Sequence, residues 1–223
     1  MKLLFKLPSR ERPAKMFAAI ENIIEMCVTE NYHILCSCDI SDSVMTNAAV
    51  RDRLNEYDKV TIIYGNSKTK VEAINADIWT QNTWDVLIAH ADDMVILQKG
   101  FDSFIEQDMH NNFPDTDGVL HYLDGSPARD KLITWPVIGR KFYDRFGYIY
   151  NPQYASVYCD NEQGAVAKLL GKYKFINRQL VNHMHPIWHK SEWDNLYKKN
   201  EDKEMYAIDK ETYFKNLSNN FGL

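Results

Sequence analysis

The first ninety residues alternate short apolar runs with helical patterns, and this alternation constrains the fold more than any other feature. Apolar runs that predict buried strands lie at residues 3–7, 33–38, 60–64 and 86–91. Between them, patterns with helical spacing begin at Pro13 and also cover residues 47–56 and 68–79. Alternating strands and helices with short polar connections are typical of mainly parallel sheets that carry helices on both faces. We therefore predict an α/β fold built on a mainly parallel sheet.

The second half of the chain is less regular. Its patterns predict helices at residues 101–109, 140–146 and 160–170, and strands at residues 118–123 and 173–176. From Ser191 onward the chain is charged and rich in aromatic residues, and we expect one or two helices packed on the outside. A length of 223 residues with 45% hydrophobic content suits a single domain, residues 1–223, without repeats or linkers.

Composition excludes several classes of protein. The formal net charge of -5 does not indicate a generally basic surface for binding nucleic acid. No apolar run is long enough to span a bilayer, and the N-terminus becomes polar too early for a secretory signal. Cys36 and Cys38 alternate along a predicted strand, so they point to opposite faces and do not suit a closed zinc site. We expect reduced thiols and a cytoplasmic location.

Polar side chains follow each of the first four predicted strands. Ligands of open parallel sheets bind beyond the carboxyl ends of the strands. The candidates at those ends are Pro8, Ser9, Arg10, Arg12, Asp39, Asp42, Gly65, Asn66, Ser67, Lys70, Asp92 and Asp93. This mixture of carboxylates with arginine and lysine fits a charged ligand that carries its own cation.

Asp92 and Asp93 interrupt the segment W-D-V-L-I-A-H-A-D-D-M-V-I-L at positions where the apolar pattern predicts core. An uncompensated buried carboxylate is costly, so such groups are usually paired, hydrogen-bonded or bound to a metal. Mg²⁺ and Mn²⁺ favour oxygen ligands, with one or two carboxylates and substrate phosphates completing the shell. A helix N-cap or a turn would also suit an aspartate here, and the pattern leaves both interpretations open.

Three of the seven histidines fall in V-N-H-M-H-P-I-W-H, residues 181–189. His183 and His185 alternate, so both point to the same side of an extended segment. Imidazole binds Mn²⁺ or Zn²⁺ well enough to complete a carboxylate site. The alternative is that these histidines lie on the surface.

A second acidic motif, Y-C-D-N-E-Q, opens the helix predicted at residues 160–170. Asp160 and Glu162 are each a candidate general base that takes a proton from an incoming hydroxyl. Both would equally complement the helix dipole. The preceding run F-G-Y-I-Y-N-P-Q-Y suits either a platform for a sugar ring or core packing.

Taken together, these motifs resemble the glycosyltransferases of the GT-A fold, specifically the family 2-like group that includes small bacterial and phage-encoded enzymes. K-L-P-S-R-E-R-P is similar to the opening strand and basic turn of that group, and Y-G-N-S-K-T-K-V-E-A-I-N to its third strand and following helix. A-D-D-M-V resembles the metal-binding aspartate motif. W-P-V-I-G-R-K-F-Y and G-Y-I-Y-N-P-Q-Y-A-S-V-Y-C-D-N-E resemble the acceptor half. The resemblance extends to about His189.

The resemblance implies a Rossmann-like GT-A domain with a nucleotide-sugar-binding half (1–100), an acceptor half (101–190) and a C-terminal extension (191–223). It implies that the nucleotide sugar, by default a UDP-sugar, is bound by Pro8, Ser9, Arg10, Arg12, Asp39, Ser67, Lys70, Asn75 and Asp92. Asp93 would ligate Mn²⁺ or Mg²⁺ together with His185, or alternatively His183.

The implied reaction is transfer to an acceptor hydroxyl with inversion, and Asp160 would be the base, with Glu162 as the alternative. The acceptor hydroxyl stays open among a glycan, a lipid-linked sugar, a protein and a modified nucleobase. Two features depart from the family pattern. The D-N-E spacing differs from the adjacent Glu-Asp pair common in the group, and the aspartate motif lacks the spaced D-x-D form because Ala91 precedes the pair.

Two other functions are compatible with the predicted fold. A sugar nucleotidyltransferase would attack the α-phosphate and usually carries a glycine-rich loop after the first strand, whereas this chain has L-P-S-R-E-R-P there. A non-catalytic nucleotide-sugar-binding protein would not need acidic motifs at both the donor and the acceptor positions.

Overall fold

A seven-stranded mixed sheet runs through the protein, for which the computed structural model describes all residues 1–223. Its strands are β1 (Leu3–Pro8), β2 (Tyr32–Asp39), β3 (Val60–Gly65), β4 (Val86–Ala89), β6 (Val119–Leu123), β7 (Pro136–Gly139) and β8 (Tyr173–Gln179). They lie in the order β3-β2-β1-β4-β7-β6-β8. Neighbouring strands are parallel except where β7 pairs antiparallel with β4 and β6. The predicted fold class, a mainly parallel α/β sheet, is confirmed.

Eight α-helices surround this sheet. They are α1 (Pro13–Met26), α2 (Ala48–Leu54), α3 (Lys70–Asn75), α4 (Phe101–Asn112), α5 (Arg140–Asp144), α6 (Cys159–Leu169), α7 (Asn195–Asn200) and α8 (Lys203–Ser218). The helix predicted at residues 68–79 is shorter than expected, because Ala76 is extended and Asp77 adopts a left-handed conformation with φ of 65°. None of the helices combines the length and apolar character that crossing a membrane requires.

The central strand β1 is buried on both faces of the sheet. Leu3, Phe5 and Leu7 belong to one core, which α1, α2 and α4 complete, whereas Leu4 belongs to a second core with α3, α5 and α6. Successive side chains of a strand point to opposite faces, so these two cores lie on the two sides of the sheet. Because both faces of the strand are buried, nearly every residue in it is apolar, which explains the near-continuous apolar run in the sequence.

One charged residue lies in the middle of β1. Lys6 is fully buried, and its ammonium group donates to the Ser37 hydroxyl, which in turn donates to Asp77 Oδ2 at 2.6 Å. Burial lowers the pKa of Lys6 from 10.5 to about 8, against the opposing charge of Asp77. A buried ammonium group with one neutral partner is costly to keep charged.

Lys6→Met is therefore expected to be more stable than the wild type at pH 7, by about 1–3 kcal/mol. Between about pH 8 and 10.5 the unfolded chain binds more protons at Lys6 than the folded chain, so the wild type gains stability there as pH rises. The advantage of the variant should shrink over the same interval. Urea unfolding of both proteins at about pH 7 and pH 9 measures the difference between their free energies of unfolding. An advantage that does not change with pH would contradict the prediction.

A second, two-stranded sheet was not predicted. It pairs β5 (Met94–Ile96) antiparallel with β9 (Val181–His183), and Met94 lies opposite His183. Strand β4 ends at Ala89, earlier than the predicted residue 91, and β5 begins directly after Asp93. The pairing therefore brings the late histidine segment beside the two aspartates.

Candidate active site

A cavity of about 720 Å³ lies at the carboxyl ends of the parallel strands. It is lined by all but two of the residues that the family resemblance assigns to the site, whereas the strand-end candidates Asp42, Gly65 and Asn66 do not line it. These lining residues are Pro8, Ser9, Arg10, Arg12, Asp39, Ser67, Lys70, Asp92, Asp93, Asp160, His183 and His185. The polar strand ends that are far apart in the sequence thus meet in one place, as expected for an open parallel sheet.

Asp92 is held by the loop that follows β1. The Ser9 hydroxyl donates to Asp92 Oδ2 at 2.7 Å, and Arg12 Nη1 donates to Oδ1 at 3.1 Å. Burial raises the pKa of Asp92 to about 6, although the charge of Arg12 opposes this. Both oxygens of Asp92 are therefore engaged by the protein itself.

Asp93 has a different environment, because only one of its oxygens is engaged. Oδ2 accepts a hydrogen bond from the Tyr197 hydroxyl at 2.8 Å and lies 3.4 Å from His183 Nε2. Burial would raise the pKa of Asp93, but the contacts and charge of His183, with the Tyr197 hydroxyl, outweigh it and lower the pKa. Asp93 is therefore ionised, and its Oδ1 is buried without a hydrogen-bond partner.

The two histidines that alternate in the sequence lie together, with ring centroids 5.4 Å apart. Burial lowers the pKa of His183, but the carboxylates of Asp124 and Asp93 outweigh burial and raise it. Burial and the neighbouring His183 lower the pKa of His185 to about 4, so this imidazole is neutral near pH 7. Its Nε2 lies 3.9 Å from Glu201 Oε1.

No group of three or more His, Cys, Asp or Glu side chains forms a metal site by itself, so a divalent cation at this end of the cavity would need further ligands from substrate and water. The buried Oδ1 of Asp93 is an anionic oxygen without a donor, which is costly unless a cation meets it. His185 supplies a neutral imidazole nearby. Cations that act on phosphates use few protein ligands and take the others from substrate and water, so Asp93 and His185 are the residues that could hold one here.

Arg10, Asp39 and Ser67 form a second polar cluster at the ends of β1, β2 and β3. Arg10 Nη1 donates to Asp39 Oδ2 at 2.5 Å, and the backbone amide of Ser67 donates to Asp39 Oδ1 at 2.8 Å. The cluster lines the same cavity as the aspartate pair. It presents a guanidinium group, a carboxylate and backbone groups, which suit the polar edges of a nucleoside.

Asp160 enters the cavity from the first turn of α6. It lies two residues after Tyr158, the N-cap residue, which adopts a left-handed conformation with φ of 60°. Burial raises the pKa of Asp160, and the charge of Lys70 opposes this shift. Asp160 Oδ1 accepts one hydrogen bond, from the amide of Asn161 at 2.9 Å. The carboxylate therefore keeps capacity to accept a proton from a ligand.

Asn75 and Glu162, which the family resemblance assigns to the site, do not line the cavity. Asn75 Oδ1 accepts from the amides of Ile149 and Tyr150, at 2.9 and 3.1 Å, so its amide group ties down a loop. Glu162 is buried, and its carboxylate accepts three hydrogen bonds. The donors are Asn151 Nδ2 at 2.6 Å, the Tyr154 hydroxyl at 2.5 Å and Asn216 Nδ2 at 2.9 Å.

Glu162→Gln is expected to lower stability but not the activity of the folded protein. The amide that replaces one carboxylate oxygen cannot accept from the donors now facing it, and a hydrogen bond to a charged group contributes about 1.5–3 kcal/mol. Thermal unfolding and single-turnover rates at a temperature where the variant is folded test this. A rate loss that exceeds the unfolded fraction would return Glu162 to the list of candidate bases.

Helix α7 supplies cavity residues that the sequence did not reveal. Arg12 Nη2 donates to Asp194, the N-cap residue of α7, and its guanidinium lies 3.9 Å from the centre of the Tyr197 ring. Tyr197 contacts Asp93 in turn. The tail is therefore part of the cavity wall and does not merely pack on the outside. The aspartate before an apolar and basic run predicts an N-cap, but no local pattern points to Arg12.

Comparison with known proteins supports the fold. No family model matches the sequence, and no curated protein matches it. Among solved structures, S. aureus TarS 1-349 in complex with UDP-GlcNAc matches with a TM-score of 0.67 at 11% identity, over 93% of this chain and 64% of that one. The same protein with UDP gives a TM-score of 0.63 at 12% identity, over 82% and 60% of the two chains.

A mannosyltransferase, PcManGT from Pyrobaculum calidifontis in complex with GDP-Man and Mn²⁺, matches with a TM-score of 0.62 at 13% identity, over 80% of this chain and 55% of that one. The chain thus spans between 55% and 64% of the length of these structures. Its sheet and these likenesses define the GT-A fold of glycosyltransferases. The resemblance drawn from the sequence is confirmed at the level of the fold.

Proposed function

We propose that this chain is a metal-dependent glycosyltransferase that moves a sugar from a nucleotide-sugar donor to an acceptor hydroxyl. The observation that carries the proposal is a single cavity that contains Asp93, with a free buried oxygen, and Asp160, whose pKa burial raises. One carboxylate suits a cation on a diphosphate, and the other suits a general base. The nucleotide sugars bound by the structural neighbours support the same class of donor.

In this proposal the donor's nucleoside lies against Arg10, Asp39 and Ser67, and the donor is a UDP-sugar. Asp92 contacts the ribose or the donor sugar, held in place by Ser9 and Arg12. Lys70 and Lys199, which are exposed within the cavity, offset the negative charge of the diphosphate.

The cation, Mn²⁺ or Mg²⁺, would be held by Asp93 and His185, while His183 lies beside Asp93 Oδ2. When bound, it stabilises the charge that develops on the departing diphosphate. Mn²⁺ in the complex of the Pyrobaculum mannosyltransferase supports this choice. Tyr197 fixes the orientation of the Asp93 carboxylate through its hydroxyl.

Asp160 takes the proton of the acceptor hydroxyl. The acceptor oxygen then forms a bond to the anomeric carbon as the bond from that carbon to the diphosphate oxygen breaks, and the nucleoside diphosphate leaves. Attack from the face opposite the leaving group inverts the anomeric centre. The acceptor is a hydroxyl on a glycan, a lipid-linked sugar, a protein or a modified nucleobase.

We also propose that residues 1–223 act as one domain in the cytoplasm. The sheet takes strands from both the donor half and the acceptor half, which supports a single unit. All four cysteines are unpaired, which supports a reducing compartment.

Incubation with UDP-GlcNAc, other UDP-sugars or GDP-Man, with Mn²⁺ and a panel of acceptor hydroxyls, tests the proposal. A glycosyltransferase releases the nucleoside diphosphate, and the release stops when EDTA removes the cation. Pyrophosphate released from UTP and a sugar 1-phosphate would instead identify a nucleotidyltransferase. Metal-assisted binding in calorimetry, without release from any donor, would identify a non-catalytic binding protein.

A further inference from the structure

Helix α8 buries a single aspartate against the loop that leads to Asp160. Asp209 is only 1% exposed and is the one buried residue of the helix. Its Oδ1 accepts from the amide of Ala155 at 2.9 Å, and its Oδ2 accepts from the amides of Ser156 and Val157, both at 2.8 Å. Three successive backbone amides thus surround one carboxylate, an arrangement that binds anions strongly.

The amides that Asp209 holds lie immediately before the strained start of α6. Tyr158 follows them with φ of 60°, which is an unfavourable conformation for tyrosine. Such a conformation persists only where the surrounding structure fixes it. Asp160, two residues further on, takes its position from this turn.

The same turn is also hydrogen-bonded to the first turn of α3. The Ala155 carbonyl accepts from the amide of Val71 at 3.1 Å, one residue after Lys70. Lys70 and Asp160 both line the cavity, and the charge of Lys70 favours the ionised form of Asp160. One buried carboxylate therefore fixes the backbone from which both groups enter the site.

We infer that Asp209 is a positioning residue for the general base, an inference that rests on the proposed function. Asp209 does not line the cavity, so it acts through the turn at residues 155–157 and not on the substrate. Helix α8 belongs to the C-terminal extension, residues 191–223, for which the sequence predicted helices packed on the outside. In this inference that segment is part of the acceptor side of the catalytic site.

A role in overall stability alone would have different consequences. Asp202, the N-cap of the same helix, accepts from the amides of Glu204 and Met205 at 3.0 and 3.1 Å. It lies outside the turn and outside the cavity, so Asp202→Asn removes the same charge from α8 without releasing residues 155–157. It is the matched control for Asp209→Asn.

The experiment compares the wild type, Asp209→Asn, Asp209→Ala and Asp202→Asn in three measurements on the full chain. Amide hydrogen exchange at residues 155–157 should accelerate by at least about tenfold in the Asp209 variants only. The Kd for UDP with Mn²⁺, from calorimetry, should stay within about threefold, while kcat for sugar transfer falls by about 10–100-fold. If Asp209→Ala does not fold, Asp209→Asn, which keeps one acceptor oxygen, provides the comparison.

Three results separate the possible failures. If Asp209→Asn releases the amides but keeps the wild-type kcat, or if Asp202→Asn lowers kcat equally, the positioning role is overturned. If Asp209→Asn leaves the three amides protected, the inference that the Asp209 carboxylate holds residues 155–157 in place is overturned. If the wild type releases no nucleoside diphosphate from any donor, the proposed function fails, and the exchange data still report whether Asp209 holds the turn.

Discussion

Asp93→Asn is expected to slow sugar transfer by about 10²–10³-fold or more, because it removes the carboxylate proposed to hold the cation that stabilises the negative charge on the leaving group. The substitution is isosteric, so the Tyr197 hydroxyl keeps an oxygen to donate to and the fold should be retained. The initial rate of nucleoside diphosphate release, measured across a titration of Mn²⁺, gives the effect. Calorimetry should also show weaker metal-assisted uptake of the donor.

Asp52→Asn is the matched control, since Asp52 is an exposed residue of α2 and lies outside the cavity. It changes the net charge by the same amount and should leave the rate unchanged. Wild-type turnover by Asp93→Asn, with an unaltered dependence on Mn²⁺, would rule out Asp93 as the metal ligand.

Asp160→Asn should reduce kcat by about 10²–10⁴-fold, because the acceptor hydroxyl loses the group that takes its proton. Binding of UDP with Mn²⁺ should stay close to that of the wild type, since Asp160 lies on α6 and not at the strand ends proposed to hold the donor. The comparison with Glu162→Gln is the sharpest one, because both variants lose one charge on the same helix.

The pH dependence gives a second measure of the same residue. The base must be ionised, so the transfer rate of the wild type should fall as pH drops through the pKa of Asp160, which burial raises above that of an ordinary aspartate. Asp160→Asn has no group to titrate at this position and should lose that limb of the profile. A variant with a wild-type rate and profile would contradict the assignment.

Much of the fold was predictable, because strands β1, β2 and β4 are buried on both faces and the apolar runs of β1 to β4 are short and separated by polar turns. The cavity followed from the fold, because carboxyl ends of parallel strands meet. Ser9 and Asp92 illustrate this: they lie 83 residues apart, and their side chains are hydrogen-bonded.

What could not be predicted depends on packing between distant segments. Asp160 and Glu162 occupy the same first turn, and only the neighbours in space decide that one enters the cavity while the other meets Asn151 and Tyr154. The pairing of β5 with β9 is equally invisible, because two strands of three residues give too few alternating positions to indicate a partner. Local sequence patterns carry no information about such contacts between distant segments.

The contacts of α7 have a consequence for how the protein is made. Tyr197 reaches back 104 residues to Asp93, and Asp194 reaches back 182 residues to Arg12. Contacts so distant along the chain form late, because the entropy of closing the intervening loop opposes them until the rest has folded. On the ribosome, the cavity therefore stays incomplete until residues 194–197 have left the exit tunnel.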